Sequence, residues 1–406
     1  MNNIFVSLSR RAPFNKGRTL FYVWMTSGLV YAIVKLLMGK YNNYKIFEYV
    51  FPHVVNGQHL YIEYPAEYYD LNHYGPLFAF VIAPFSLMPE WLGMIAWVLA
   101  NTLFLFYAIK QLPLSSQRKI IIGWFSLCEL MTAQGVQQFN ISVAAFIILS
   151  FVMIEKEKDF WAAFFILLGT LIKIYPIVGL AFFFFSKHKR KLILSCIFWF
   201  VLLLGLPLLI APGGDYILSQ YMEWFERLPI KNQLNMFAES QNISLLGIVR
   251  KISGNGHYSD LWLILPGILL FSIPYSRRSQ YKYLRFRLSL LANVLLFVVL
   301  FSTGSEASGY ISAMIGTAIW YVCSPSPNRN YNFFLLITTL IVVGLSTTEL
   351  VPPPIRKGFI TPFVLKAWPC AVIWITICLE MMHLDYSKAS KIKSSNFQKL
   401  ISSNRQ

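Results

Sequence analysis

Long apolar stretches alternate with short polar ones along the chain. Two of them, residues 192–211 and 288–301, contain no charged residue. Crossing the hydrocarbon core of a bilayer takes about 20 mostly apolar residues, and the backbone there must pair its own polar groups, as a helix does. Soluble proteins bury narrower apolar stripes instead. The pattern therefore predicts an all-α polytopic membrane protein that forms a single membrane-embedded domain over residues 1–406.

The apolar runs predict about 12 spans. One further run, at 76–88, has only 13 residues, includes Pro84 and is short for a span. The basic clusters at 118–119, 187–191 and 277–287 can all face the cytoplasm only if this run does not cross. We therefore expect it to be an interfacial or re-entrant helix on the outer face. The predicted spans are 19–38, 91–110, 118–134, 141–154, 160–173, 175–186, 191–211, 261–275, 286–303, 309–323, 332–348 and 363–382.

Charge and composition give the expected orientation. Charged residues make up 13% of the chain, whereas a soluble domain carries roughly 25%. The net charge of +17 lies largely in short loops between spans, which indicates topology and not nucleic acid binding. Arg10, Arg11, Lys16 and Arg18 precede the first span without any acid. We therefore expect an inner (cytoplasmic) membrane protein with both termini, including the tail 383–406, in the cytoplasm.

Two long outer segments, 40–88 and 212–260, carry most of the acids predicted to lie outside. Transporters usually hold their polar site near the middle of the bilayer. A site at the outer membrane face, built from these two segments over a helical bundle, is therefore favoured. The five cysteines lie in apolar runs and include no CxxC pair, so neither a metal site nor a cofactor is predicted.

Several outer-face residues have side chains suited to sugar or phosphate chemistry. Asp70 shortly precedes the Gly75-Pro76 turn and could deprotonate an acceptor hydroxyl. Lys173 ends an apolar run, where a lysine either binds a phosphate or extends towards the headgroups. Asn140 could bind ligand hydroxyls or cap the following helix. Gln138 has the same two alternatives, and Gln241, Asn242 and Ser244 could hold a sugar or phosphate. Glu306 could supply a second carboxylate and Arg356 and Lys357 a phosphate clamp, although each could equally be a solvated loop residue.

Four short motifs occur together in a recognisable order. Residues 74–79 (YGPLFA), followed by Ala83-Pro84, are similar to a YPPLFA…AP stretch, and residues 138–140 (QFN) stand where GQ-x-N is expected. Residues 173–176 (KIYP) match K-x-x-P, and residues 241–245 (QNISL) look like a spread form of NQSL. The chain thus resembles the GT-C glycosyltransferases, most closely glycosyltransferase family 87, whose members are polyprenyl-phosphate-mannose-dependent mannosyltransferases.

The resemblance implies a GT-C bundle of about 12 transmembrane helices with interfacial helices in the first outer loop. It also implies that a hexose, usually mannose, moves from a polyprenyl-phosphate donor to a glycan or lipid-linked acceptor at the non-cytoplasmic face. Transfer would invert the anomeric carbon and need little or no metal. Asp70 or Glu48 would be the base. The donor phosphate would contact Lys173, Tyr175, Arg356 and Lys357, and sugar or acceptor would contact Asn43, Tyr44, His73, Tyr74, Gln138, Asn140, Gln241, Asn242, Ser244 and Glu306.

Two positions depart from the family pattern. The family places its catalytic Asp after the first span in a D-[FL]-x-x-Y setting, and the matching residues 43–47 begin with Asn43. An amide cannot act as a general base at neutral pH, so another carboxylate takes that role or the chain is an inactive relative that binds lipid-linked sugar. The late His-Tyr pair is replaced by Gly309-Tyr310. A lipid-linked sugar transporter is the other alternative, with Glu129 and Glu380 as its mid-span acids.

Overall fold

The structure, a computed structural model, describes residues 12–346, 348 and 351–387. Within those residues the chain is helical and has no β-strand, in agreement with the predicted all-α class. Arg10, Arg11 and most of the predicted cytoplasmic tail lie outside the described residues. The helices are α1 (Gly17–Leu37), α2 (Asn42–Val55), α3 (Phe78–Ser86), α4 (Glu90–Gln111), α5 (Ser116–Phe125), α6 (Leu127–Gly135), α7 (Asn140–Glu155), α8 (Asp159–Ile172), α9 (Lys189–Gly205), α10 (Gly214–Asn235), α11 (Leu245–Ser253), α12 (Leu261–Ser272), α13 (Leu284–Leu300), α14 (Tyr310–Cys323), α15 (Arg329–Thr339) and α16 (Ala367–His383).

Helix length and composition suit a membrane-embedded protein. Among the described helices, three are long and apolar enough to cross a membrane: α1, α4, and α9 with the short turn that extends it to Leu209. Shorter apolar helices include α7, α8 and α16. The nine-residue α3 lies in the run 76–88 and is too short to cross alone. The count of 12 spans and the interfacial position of α3 stay predictions.

Several predicted elements differ in the structure. The predicted span 118–134 is divided at Ser126 into α5 and α6. The predicted span 175–186 is an 11-residue 3-10 helix with Pro176 near its start, where proline removes a backbone donor. The segment 212–260, expected as an outer loop, contains the 22-residue α10 and the capped α11. A search for uncharged runs misses α10 because this helix is largely polar.

The centre of the bundle is formed by helices that are buried on all sides. Every residue of α14 is buried, as is nearly all of α7. A helix that is apolar all round belongs in such a position. α13 packs along α14, and the loop 301–309 joins them, while α8 packs between α7 and α9. These packed helices hold the loops at their ends in fixed positions.

One buried ion pair ties the end of the described chain to this bundle. The ammonium of Lys366, just before α16, lies 2.9 Å from the carboxylate of Glu129 on α6, and both side chains are almost fully buried. Lys366 also lies over the ring of Tyr310. Because a lone buried charge is strongly destabilising, each partner keeps the other in place. The pair gives Glu129, one of the acids behind the transporter alternative, a structural partner.

Candidate active site

Polar residues singled out in the sequence meet at a cavity of about 150 Å³ at one end of the bundle. Its walls come from the first outer segment, the α6–α7 turn, the end of α8, α10, and the α13–α14 loop. Helix ends from distant parts of the chain thus bring their residues to one cavity. The predicted site residues in its lining are Asn43, Asp70, His73, Tyr74, Gln138, Lys173, Tyr175, Gln241 and Glu306.

A chain of hydrogen bonds connects a cation to a carboxylate in this cavity. Lys173 donates from Nζ to Asn140 Oδ1 (2.9 Å), and Asn140 donates from Nδ2 to Glu306 Oε1 (2.7 Å). The same Asn140 amide also donates to Ser308 Oγ (2.8 Å). Gln241 Nε2 lies 3.4 Å from the other Glu306 oxygen. Asn140 therefore holds Lys173 and Glu306 at a fixed separation while both still line the cavity.

Aromatic rings surround the Lys173 ammonium. Its Nζ lies 5.2 Å from the ring centroid of Tyr74 and 5.6 Å from that of Tyr175, within the range of cation–π attraction. Tyr74 donates its hydroxyl to Gln138 Oε1 (3.0 Å). These contacts hold the lysine side chain at the wall of the cavity.

A glycine brings the first outer segment against α8. The Gly75 amide donates to the Ile172 carbonyl (3.0 Å), and a Cβ on Gly75 would overlap the Leu171 carbonyl oxygen. The backbone can approach the helix end this closely only without a side chain. This contact places His73 and Tyr74 next to Lys173.

Asp70 enters the cavity on a strained backbone. Its φ is +74°, a left-handed conformation that is uncommon for a residue other than glycine, and its carboxylate is 64% exposed. Strained conformations of this kind cluster at functional sites. His73 Nε2 lies 3.9 Å from the Asp70 carboxylate. Burial, followed by the charge of Lys231, lowers the pKa of His73 to about 4, so its imidazole is neutral at physiological pH.

Helix α10 contributes one wall that the sequence reasoning missed. Trp224, Leu228, Lys231 and Asn235 all line the cavity, and their spacing places them on one face of the helix. Trp224 Nε1 donates to the His73 carbonyl (3.1 Å), which docks α10 on the first outer segment. Lys231 adds a second ammonium to the cavity. The helical spacing of these four positions in the sequence could have indicated this helix face.

Glu48 and Tyr44 lie away from the cavity lining. The Glu48 carboxylate is on α2 beside Glu90, whose own carboxylate accepts a hydrogen bond from Tyr41. Burial, and then the charge of Glu90, raise the pKa of Glu48 to about 7, although Lys45 opposes this. Tyr44 donates its hydroxyl to the Phe85 carbonyl (3.2 Å). Both residues serve the packing of α2 on α3 and α4.

Besides Asn140, which holds two lining residues, four other predicted site residues are absent from the lining. Ser244 caps α11 by accepting from the Gly247 amide and donates to Asn242 Oδ1 (2.7 Å). Asn242, with φ of +53°, donates from Nδ2 to the Met236 carbonyl (3.0 Å). Arg356 and Lys357 lie in the helical turn before α16. Asn242 and Ser244 thus shape the backbone next to Gln241, which does line the cavity.

The comparison with known families decides what kind of protein presents this cavity. The model of glycosyltransferase family 87 matches residues 72–303, more than half of the chain. The chain belongs to glycosyltransferase family 87. No curated protein and no solved structure matches it. This family 87 member is therefore a membrane glycosyltransferase, with a sugar donor and an acceptor as its substrates.

The region that matches the family 87 model contains most of the residues that line the cavity. Residues 72–303 of the family 87 match include Lys173 and Lys231, both cations of the cavity lining. Asp70 lies just before the matched region and Glu306 just after it. The two carboxylates that line this family 87 cavity therefore come from just outside the matched region, one on each side of it.

Proposed function

We propose that this family 87 member transfers a hexose, with mannose the expected sugar, from a polyprenyl-phosphate donor to a glycan or lipid-linked acceptor at the non-cytoplasmic face. One observation carries the proposal: the carboxylates of Asp70 and Glu306 line the same cavity as the ammoniums of Lys173 and Lys231. A phosphate leaving group needs cations, and an attacking hydroxyl needs a base.

Asp70 is the proposed base. The Asp70 carboxylate is exposed and accepts one hydrogen bond, from the neighbouring Leu71 amide. The Glu306 carboxylate accepts hydrogen bonds from Asn140 and Gln241. An acceptor hydroxyl can therefore reach Asp70 from the solvent side. Glu306 is proposed to orient the acceptor, and the neutral His73 to hydrogen-bond to it.

Lys173 and Lys231 are proposed to hold the donor phosphate. The rings of Tyr74 and Tyr175 lie against the Lys173 ammonium, and all three residues line the cavity. Ammonium groups pair with phosphate as point charges, which suits a phosphate that changes from diester to monoester during transfer. As the sugar leaves, negative charge on the phosphate grows, and both cations stabilise that change.

Transfer from radiolabelled polyprenyl-phosphate-mannose to a membrane lipid extract, in proteoliposomes, tests the base. Asp70→Asn should lower the rate by a factor of about 100 or more, the usual effect of a general base. Glu48→Gln is the matched control and should retain transfer, because Glu48 does not line the cavity. Full activity of Asp70→Asn would contradict the assignment, and loss in Glu306→Gln alone would move the base to Glu306.

The proposed orientation places the cavity outside the cell membrane and both termini in the cytoplasm. Gln58 and Arg190 are exposed positions of the first outer segment and of the start of α9. In right-side-out vesicles of a cysteine-free background, a membrane-impermeant thiol reagent should label Gln58→Cys and not Arg190→Cys. The reverse pattern would refute the orientation without affecting the assignment of the base.

Asn43 supports one second candidate, an inactive relative. It lines the cavity, but its amide Nδ2 donates to the Val136 carbonyl (2.8 Å) and cannot take up a proton from a hydroxyl. An inactive protein would bind polyprenyl-phosphate-mannose and transfer nothing to any acceptor or to water. The transfer assay above, combined with donor binding, separates the two candidates.

A further inference from the structure

A second charged pocket lies at the opposite end of α13 from the candidate active site. It has a volume of about 400 Å³. Arg285 in the first turn of α13 lines it, whereas the loop after α13 carries Glu306. The 17 residues of α13 separate the two sites by about 25 Å at 1.5 Å per residue. The lining of this basic pocket is Pro113, Leu114, Ser115, Arg118, Lys282, Tyr283, Leu284, Arg285, Leu288 and Tyr386.

Three cations face the basic pocket, and no acid does. Arg118 and Arg285 are partly buried and Lys282 is exposed. Within the described residues, neither arginine has a hydrogen bond or an ion pair with a protein group, and Lys282 only lies over the ring of Tyr283. Burial, followed by the charges of Arg118 and Arg329, lowers the pKa of Arg285 and so disfavours its charged form. This unbalanced positive charge is costly unless an anion joins it.

Two other cations near this end of the bundle are paired with acids. Arg287, two residues from Arg285, forms two hydrogen bonds with the carboxylate of Glu155, at 2.6 and 2.8 Å. Lys187 pairs with Glu157 at 2.6 Å. The segments 1–11 and 388–406 contain no Asp or Glu. The cations of the basic pocket therefore differ from Arg287 and Lys187 in having no acidic partner among the described residues.

We propose that the basic pocket binds a phosphate group, carried either by an anionic phospholipid or by a soluble phosphate. Two partly buried guanidiniums match the oxygens of a phosphate, which accept their fork of donors. The first turns of α5 and α13 also meet here, and their free amides favour an anion. Basic pockets between transmembrane helices are known places for lipid headgroups. Leu114, Leu284 and Leu288 offer an apolar border for acyl chains.

The test uses the full-length protein and compares three forms. They are the wild type, the double variant Arg118→Gln/Arg285→Gln, and the control Arg190→Gln/Lys191→Gln, which removes two exposed cations at the start of α9. In detergent, inorganic phosphate is titrated and the melting temperature is followed. In nanodiscs, the ratio of phosphatidylglycerol to phosphatidylcholine retained around each protein is measured by mass spectrometry.

The proposal expects the wild type and the control to bind alike and the pocket variant to bind at least roughly tenfold more weakly. Stabilisation by phosphate alone identifies a soluble anion, and enrichment of phosphatidylglycerol identifies a lipid. Equal behaviour of all three forms in both arms would overturn the proposal. Folding of the pocket variant is checked in anion-free detergent, where removing the repulsion around Arg285 should leave its melting temperature equal to or above that of the wild type. A lower melting temperature in anion-free detergent would contradict the unbalanced charge on which the proposal rests.

Discussion

Asn140 offers the sharpest test of the proposed active site, because it touches both a cation and a carboxylate. In the substitution Asn140→Asp, the Oδ1 that accepts from Lys173 is kept. The Nδ2 that donates to Glu306 Oε1 at 2.7 Å and to Ser308 Oγ at 2.8 Å becomes an oxygen. The change is nearly isosteric, so it alters hydrogen bonding and charge without creating a cavity.

The consequence depends on pH. Two carboxylates about 2.7 Å apart cannot both ionise easily, so they share a proton and their second pKa is raised. While the proton is shared, it replaces the lost N–H donor and the network survives. Lys173 favours ionisation and lowers the pH at which the proton leaves. Once it leaves, the donor to Glu306 is gone. A hydrogen bond to a charged group contributes about 1.5–3 kcal/mol, or about a 10- to 150-fold change in kcat/KM.

The assay is transfer from polyprenyl-phosphate-mannose between pH 5 and 8.5, expressed at each pH relative to the wild type. The Asn140→Asp variant should approach the wild type at the acidic end and fall by the factor above as the pH rises. Asn140→Leu is the matched control. It has neither donor nor acceptor, so its activity should be low across the whole range.

Two results would refute this reasoning. Equal pH profiles for the aspartate and leucine variants would show that the amide does not connect Lys173 to Glu306 during transfer. Full activity of the leucine variant would remove Asn140 from the site altogether.

Three further predictions concern stability, measured by thermal unfolding in detergent. Gly75→Ala should destabilise the protein by about 1–3 kcal/mol because its Cβ overlaps the Leu171 carbonyl, whereas Gly205→Ala, with open space around it, should not. Glu48→Gln should stabilise the protein by about 1 kcal/mol above pH 7, after allowance for the partial exposure of Glu48, and by little at pH 4.5. Because the pKa of Glu48 is raised from 4.5 to about 7, the native state binds more protons than the unfolded state between these two pH values. The stability of the wild type therefore falls as the pH rises, and the advantage of the variant grows with it. Lys366→Met should cost about 3–5 kcal/mol, and adding Glu129→Gln should recover much of this loss.

The sequence predicted the all-α class and much of the cavity lining, since each motif lies at the end of an apolar run. Lys173 ends such a run, and Gln138 and Glu306 each lie in a short segment between two of them. Residues at helix ends on one side of a bundle can meet wherever the helices pack side by side. Hydropathy therefore carried enough information to gather these residues, although the helices differ from the predicted spans in several bounds.

The position of Glu48 away from the cavity lining and the presence there of Lys231, which the sequence did not predict, share one cause. Both residues lie on helices outside the apolar runs, where function depends on which face of the helix is turned to the cavity. Residues 46 and 47 on α2 line the cavity, and Glu48 points to α4 instead. On α10, Lys231 faces the cavity because Trp224 docks the helix in that rotation. Tertiary contacts of this kind are not visible in the composition of a single segment.

The structure also gives Asn43 and its neighbour Asn42 a reason to be amides. Asn42 exchanges two hydrogen bonds with the backbone of Tyr69, at 2.6 and 2.8 Å, and so pins the residue next to Asp70 to the start of α2. Asn43 needs an N–H to reach the Val136 carbonyl, and a carboxylate there would repel that oxygen. Asn43 and Asp70 nevertheless line one cavity. The proposed role of Asp70 as the base is thus linked to the amides of Asn42 and Asn43. Asn42 holds the loop that carries Asp70, and Asn43 joins α2 to the turn before α7. The substitution Asn43→Asp would return a carboxylate to the cavity but lose the hydrogen bond to Val136.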